Sequence, residues 1–303
     1  MTLPNFLIVG ANRAGTSYLA SLLVEHAQVF LPRKELHYFD QVPFRGGEVA
    51  IEDYARFFEG ADGQPAVGEK TPSYMYFDHV PGLLATYLPD ARLIFLLRDP
   101  LKRAHSQYWK RVRNGQEPYA FERALREEPA RLARGTYIDR IRYSYQDRGL
   151  YMRQIERFLP LYPRERMLFL ASEDMFARPR ETLETVLSFL GISAPPQGPI
   201  PEESPNHSAV PRWPDAYRRL SALHMRLMGR RGVWRVGQAA QWARDRVIPK
   251  TIRPYPPMKE ETAAHLAEVF REDSSALREF LGGGIDHWSV FWYGRDRATT
   301  TRA

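Results

Sequence analysis

The apolar run Phe6, Leu7, Ile8, Val9 passes directly into Gly10-Ala11-Asn12-Arg13-Ala14-Gly15-Thr16-Ser17, after which Leu19, Leu22, Leu23 and His26 fall at i, i+3, i+4 and i+7. A buried strand, a loop with glycine at both ends and an amphipathic helix constrain this chain more than any other feature. Such a turn aims unpaired backbone N–H groups and a helix dipole at an anion. Thr16 and Ser17 add hydroxyl donors at the helix start. The pattern is close to the nucleoside-triphosphate loop G-x-x-x-x-G-K-[ST], but Thr16 stands at the lysine position and the cation, Arg13, lies inside the loop. That arrangement suits a ligand whose charge needs less metal than a triphosphate. A plain strand-to-helix turn with incidental glycines is the alternative reading of the same residues.

Two further apolar runs, Arg92 to Leu97 and Met167 to Leu170, read as buried parallel strands, and Ala66 to Gly68 as a candidate fourth. Leu183, Val186, Leu187 and Leu190 repeat with helical spacing and stop at Gly191. Strands alternating with helices predict an α/β fold with a central parallel sheet flanked by helices. At 303 residues with 44% apolar composition, the chain is long enough for one large domain, 1–303. Residues 194–215 carry seven prolines and predict a long extended connection. The basic stretch from Tyr217 to Lys250 then reads as a lid or insertion, so that about 194–250 interrupts the domain. A long amphipathic helix follows Pro257, with Leu266, Val269, Phe270, Leu277, Phe280 and Leu281 on one side.

The second strand ends in Arg98-Asp99-Pro100, where a helix can start because proline gives up no hydrogen bond there. Arg98 thus sits at the carboxyl end of a parallel strand, where open α/β sheets bind ligands. Ser106, two turns into the helix, can face the same side, and an arginine with a serine would hold a terminal phosphate. Ala104, Tyr108 and Val112 form the apolar stripe of this helix, and Lys102, Arg103, Lys110, Arg111 and Arg113 read mostly as a solvated face. An ion pair at the helix start is the plainer account of Arg98-Asp99-Pro100.

Together these motifs resemble the sulfotransferases that use 3′-phosphoadenosine-5′-phosphosulfate (PAPS), in particular the branch that includes the glycosaminoglycan (heparan sulfate) enzymes and their bacterial relatives. The loop at Gly10 to Ser17 is similar to the family's 5′-phosphosulfate loop, and Leu96-Leu97-Arg98-Asp99-Pro100 with Arg103, Ser106 and Tyr108 to its 3′-phosphate motif. The resemblance continues through Lys34 to Asp40, Gly68 to Tyr74, Arg148 to Tyr151, Ser172 to Asp174 and Arg253 to Met258. It is weakest between about 195 and 250.

The resemblance implies a P-loop-like, nucleotide-kinase-like sulfotransferase fold, PAPS as donor and 3′-phosphoadenosine-5′-phosphate as product, with no metal. It implies Glu35 as general base, His37 and Asp40 beside it at the acceptor, and Lys70 as a cation near the transferring group. Arg13, Ala14, Gly15, Thr16 and Ser17 would wrap the 5′-phosphosulfate, Arg98 and Ser106 would bind the 3′-phosphate, and Arg253 would close over the nucleotide. The family usually has lysine where this chain has Arg13; arginine keeps the charge, but its acidity makes it a poor proton donor.

Sulfuryl transfer, like phosphoryl transfer, has a loose in-line transition state, so positioning and charge stabilisation are the protein's main contributions. A hydroxyl acceptor must lose its proton as it attacks, and a carboxylate whose burial lifts its pKa can take it. Glu35 is the candidate, with pairing to Lys34 on the surface as its plain alternative; His37 is the reserve, and Lys70, after an apolar run and before Thr71-Pro72, suits a strand-end site, with a surface charge as its plain alternative. No H-E-x-x-H pattern marks a metal site.

The net charge of +7 favours an anionic ligand, nucleic acid or an acidic membrane surface without choosing among them. Between Arg226 and Arg246, Arg230, Arg231, Arg235, Arg244 and Arg246 alternate with Trp234 and Trp242. This stretch fits peripheral contact with anionic lipid, or one wall of an acceptor cleft with its aromatics partly core; the second is the expectation. The expected partner is a glycan or small-molecule acceptor and not a nucleic acid. With no cysteine, no cleavable leader pattern and no long apolar stretch, the expected location is the cytoplasm. A P-loop kinase, requiring Mg²⁺ and ATP, is the alternative enzyme.

Overall fold

The computed structural model describes residues 1–192, 209–228, 234–252 and 254–293. Five strands form one sheet: β1 (Phe6–Gly10), β2 (Val29–Phe30), β3 (Ala66–Lys70), β4 (Arg92–Leu97) and β5 (Met167–Ala171), in the order β2-β3-β1-β4-β5. Every pairing is parallel, with Phe6 opposite Gly68 on one side and Arg92 on the other. All five residues of β1 and of β3 are buried, and β1 accordingly reads as a continuous rather than an alternating pattern. Strand β1 lies where the strand order reverses, the position at which open parallel sheets take ligands beyond their carboxyl ends.

Gly68 is fixed by packing: a Cβ there would lie 2.3 Å from the ring of Phe6, so β1 and β3 can approach only without a side chain at this point. The helices following β1 and β4 span Thr16–Val24 and Pro100–Arg113. The first stops two residues short of His26, which is nonetheless buried. The helix Pro179–Phe189 ends before Gly191, whose φ of +80° completes the left-handed stop that the sequence predicts.

The chain divides into two compact units: Met1–Arg103, Leu150–Asn206 and Ala267–Ala303 in the first, Ala104–Gly149 and His207–Leu266 in the second. The first contains the whole five-stranded sheet. The second is mostly helical, and its interior holds the Arg131 guanidinium against both oxygens of Glu117, at 2.5 and 3.0 Å, with the Tyr145 hydroxyl donating to Glu117 at 2.7 Å.

Three sequence expectations change here. The proline-rich connection is not extended throughout: Ala209–Pro211 forms β6, antiparallel to β7 (Lys250–Ile252), and Pro214 opens a helix running to Met228. Proline is tolerated in both places, on a strand edge and in a first helical turn; the prolines at 195–205 lie outside the described residues. On the Pro100 helix, Arg103 and Arg111 are buried rather than solvated, Arg111 donating to Gln116 Oε1 at 2.9 Å and to the Ile141 carbonyl at 2.8 Å. Trp242 is two-thirds exposed and forms no part of a core.

Candidate functional site

The loop after β1 curls tightly because Arg13 and Gly15 both take left-handed φ, +74° and +95°. Gly15 is needed on two counts, since a Cβ would also meet Met175 Cε at 2.8 Å and the Phe176 ring at 3.0 Å. The first bonds of the following helix run from the Tyr18 and Leu19 N–H groups to the Gly15 carbonyl. The N–H groups of Thr16 and Ser17 precede them and have no carbonyl of their own helix to reach, leaving them for an anion.

Arg98 emerges from the neighbouring strand tip on the same edge of the sheet, and its Nη1 donates to the Arg13 carbonyl at 3.1 Å. Asp99 does not pair with Arg98. Fully buried, it accepts the Leu101 N–H at 3.0 Å, starting the helix, while its other oxygen accepts the Ser289 N–H and hydroxyl at 2.7 and 2.5 Å. Tyr151 donates to the Arg98 carbonyl and Glu173 accepts the Asp99 N–H, so these two residues buttress the tip. Ser106 is buried on the same helix as Pro100, within the second unit. Arg253 lies outside the described residues, as do Arg230 and Arg231; Tyr255, two residues on, stacks on Trp109 at 6.0 Å.

Lys70, the last residue of β3, joins the remaining candidates. Its Nζ lies 3.0 Å from Glu35 Oε1 and donates to Ser17 Oγ at 3.1 Å, with only 9% of the side chain exposed. Glu35 Oε2 is 3.3 Å from His37 Nε2, and His37 Nδ1 is 2.8 Å from Asp40 Oδ2. Ser73 donates to the same Asp40 oxygen and lies 3.2 Å from His37 Nδ1. A continuous chain Ser17–Lys70–Glu35–His37–Asp40 thus ties the anion loop to the 35–40 segment, and Glu35 pairs with Lys70 rather than Lys34.

The electrostatics correct one expectation. Burial pushes Glu35 up, but hydrogen bonds from His37 and the Lys70 charge more than reverse it, bringing its pKa down to about 2. Burial pulls His37 down, yet hydrogen bonds to Asp40 and Glu35 and their charges raise it to about 9. At neutral pH the pair is therefore carboxylate and imidazolium. His37 carries its proton already and cannot serve as the base in this state.

Sequence reasoning gave no role to Glu69, Thr71, Ser73 and Tyr74, noted only within the Gly68 to Tyr74 resemblance, and did not single out Tyr54. The signal for Glu69 was a charged residue inside an apolar strand; for Tyr54, far upstream, there was none. Among the described residues no group of three His, Asp or Glu could hold a metal ion, and no helix is long and apolar enough to cross a membrane.

A sulfotransferase-domain profile matches residues 3–208. The chain belongs to the sulfotransferase family. The membrane-associated sulfotransferase kil1 of Dictyostelium discoideum is 37% identical over 138 residues, 42% of this chain and 28% of that protein. Mouse (Mus musculus) heparan sulfate glucosamine 3-O-sulfotransferase 3A1 is 31% identical over 191 residues, 63% of this chain and 46% of the other. The mouse bifunctional heparan sulfate N-deacetylase/N-sulfotransferase 3 is 24% identical over 299 residues, 94% and 31% respectively. The chain thus spans less than half the length of these curated relatives. A crystal structure of a sulfotransferase from Alicyclobacillus acidocaldarius aligns with a TM-score of 0.69 over 95% of this chain and 99% of its own, at 22% identity, a likeness of fold. The P-loop-like sulfotransferase fold and membership of the family replace the kinase alternative.

Proposed function

We propose that this sulfotransferase moves the sulfuryl group of PAPS onto a hydroxyl or amine of an acceptor, a carbohydrate or other small metabolite, with Glu35 as the general base. The observation that carries the reading is Lys70: one ammonium group bridges the anion loop, at Ser17, and the candidate base, at Glu35. A group of that charge in that place serves both partners of an in-line transfer.

The residues fit the donor. The Thr16 and Ser17 amides and hydroxyls with Arg13 suit a 5′-phosphosulfate, and Arg98 with Ser106 suits a 3′-phosphate. Arg253 is proposed to close over the nucleotide. When bound, PAPS supplies a sulfuryl group on an already anionic leaving group, so no metal is demanded by the chemistry. Lys70 faces developing charge on the transferring oxygens, and as it shares itself with an anion its hold on Glu35 weakens and the carboxylate becomes more basic. Glu35 then takes the acceptor proton, while the His37 imidazolium and Asp40 orient the acceptor and hold the carboxylate in place.

Relatives named for heparan sulfate support a carbohydrate acceptor, and we assign the basic 217–250 stretch to acceptor binding. Calorimetry without metal, comparing 3′-phosphoadenosine-5′-phosphate with ATP, tests the donor. Tight binding of the former is expected, and binding of ATP alone would overturn the assignment. Transfer of ³⁵S from PAPS to a panel of desulfated heparan oligosaccharides then tests the acceptor class.

A further inference from the structure

The Glu69 carboxyl is fully buried on β3, and among the described residues no cation lies within ion-pair distance of it. Its partners are hydroxyls. Tyr54 donates to Oε1 at 2.5 Å, Thr71 donates to Oε2 at 3.0 Å, and Tyr74 is hydrogen-bonded to the same carboxyl. A hydroxyl has one proton, and once this is committed only its lone pairs remain on offer. Thr71 Oγ1 accepts the N–H groups of Leu36 and His37 at 3.2 and 3.4 Å; the Tyr74 oxygen accepts those of Tyr38 and Phe39 at 3.2 and 3.3 Å. Four successive amides, flanked by Glu35 and Asp40, therefore rest on two hydroxyls whose polarity one carboxylate sets.

We propose that Glu69 is a positioning residue for the reaction: by taking the protons of Thr71 and Tyr74 it fixes both as acceptors, and so holds the 35–40 segment with Glu35, His37 and Asp40 in one array. The inference deepens the sulfotransferase reading and rests on it for its kinetic consequence. His37 has φ +50°, a left-handed conformation uncommon for a residue with a Cβ, and the Thr71 hydroxyl contacts its amide directly. The turn carrying both hydroxyls is itself anchored to β1, through Thr71 N–H to the Ile8 carbonyl at 3.2 Å and Met75 N–H to the Val9 carbonyl at 2.8 Å. Burial raises Glu69 to about 7 against the pull of its three hydroxyl donors, so the carboxylate that sets both hydroxyls is complete above that pH, the range in which His37 titrates. A glutamine cannot replace it, because its NH₂ would present protons where a hydroxyl also presents one, and a hydroxyl turned round would point its proton at the loop amides.

The test follows His37, whose elevated pKa exists only while its ring lies between Glu35 and Asp40. Its imidazole is titrated by NMR, assigned from the spectrum of His37→Gln, in wild type, Glu69→Gln, Thr71→Val and Thr71→Ser. The expected result is titration at about 9 in wild type and Thr71→Ser, and a fall of about one unit or more in Glu69→Gln and Thr71→Val. With PAPS and an acceptor, the last two should lose turnover by about a hundredfold, the scale of a small misplacement of reacting groups. Their affinity for 3′-phosphoadenosine-5′-phosphate should be unchanged, with Thr71→Ser restoring activity. A wild-type His37 titration in folded Glu69→Gln and Thr71→Val overturns the inference. Should Glu69→Gln not fold, the Thr71 pair decides, and equal behaviour of valine and serine overturns it. A wild-type protein that never uses PAPS would sink the functional reading instead, and the titrations would still judge this one.

Discussion

Replacing Lys70 by methionine keeps the length and apolar stem of a side chain that is only 9% exposed and removes its charge. Coulomb's law puts a unit pair 3.0 Å apart at about 1.4 kcal/mol in water and about 5.5 kcal/mol at an effective dielectric of 20. Glu35 is one-third exposed, so solvent screening holds the effect towards the lower figure. The imidazolium of His37, 3.3 Å away, keeps its share of the depression. The carboxyl should therefore climb from about 2 towards its ordinary 4.5, by about one to two units.

A carboxyl depressed in the folded state contributes stability that is present above its unfolded pKa and lost as pH falls through the folded one. For Glu35 the window runs from 4.5 down to about 2. After discounting for exposure, about 1–2 kcal/mol is at stake, and Lys70→Met should lose about half of it. The assay is ¹³C-carboxyl NMR of Glu35 across pH 1.5–6, with urea unfolding at pH 3 and 6 beside it. A folded variant whose Glu35 still titrates at about 2 would refute the reasoning, and with it the proposal that Lys70 governs the strength of the base.

Glu35→Gln should leave calorimetric affinity for 3′-phosphoadenosine-5′-phosphate intact while cutting turnover about a hundredfold or more, the contribution of a general base; undiminished turnover would move the base elsewhere. Arg98→Ala should weaken that nucleotide by about 1.5–3 kcal/mol, the scale of a charged hydrogen bond, measured by the same calorimetry. Gly15→Ala should lower stability by about 1–2 kcal/mol from its left-handed φ, plus the clash with Met175 and Phe176. Gly63→Ala, with φ +74° and open space around it, is the thermal-unfolding comparison that isolates the strain alone.

The strands carrying the site were legible because their runs are apolar. Phe6 to Val9 is wholly buried, Arg92 to Leu97 is buried beyond its first residue, and Met167 to Leu170 is apolar though only Met167 is fully buried; each lies within one residue of the strand observed. β3 read two residues short, since Glu69 and Lys70 look like surface charges until Tyr54, Thr71 and Tyr74 are known to meet one and Ser17 and Glu35 the other. The same blindness hid the acidity of Glu35. Burial alone argues for a raised carboxyl, and only the fold brings Lys70, 35 residues away in sequence, to within 3.0 Å. Arg103 and Arg111 looked solvated because their intervals on the helix do not reveal which acceptors surround them.

The clasp between Asp99 and Ser289 carries a consequence for biosynthesis. The strand tip that bears Arg98 leaves the ribosome 190 residues before the residue that satisfies its buried carboxylate. A nascent chain still short of Ser289 leaves that oxygen wanting two donors, so this tip should settle only after the intervening residues have been made.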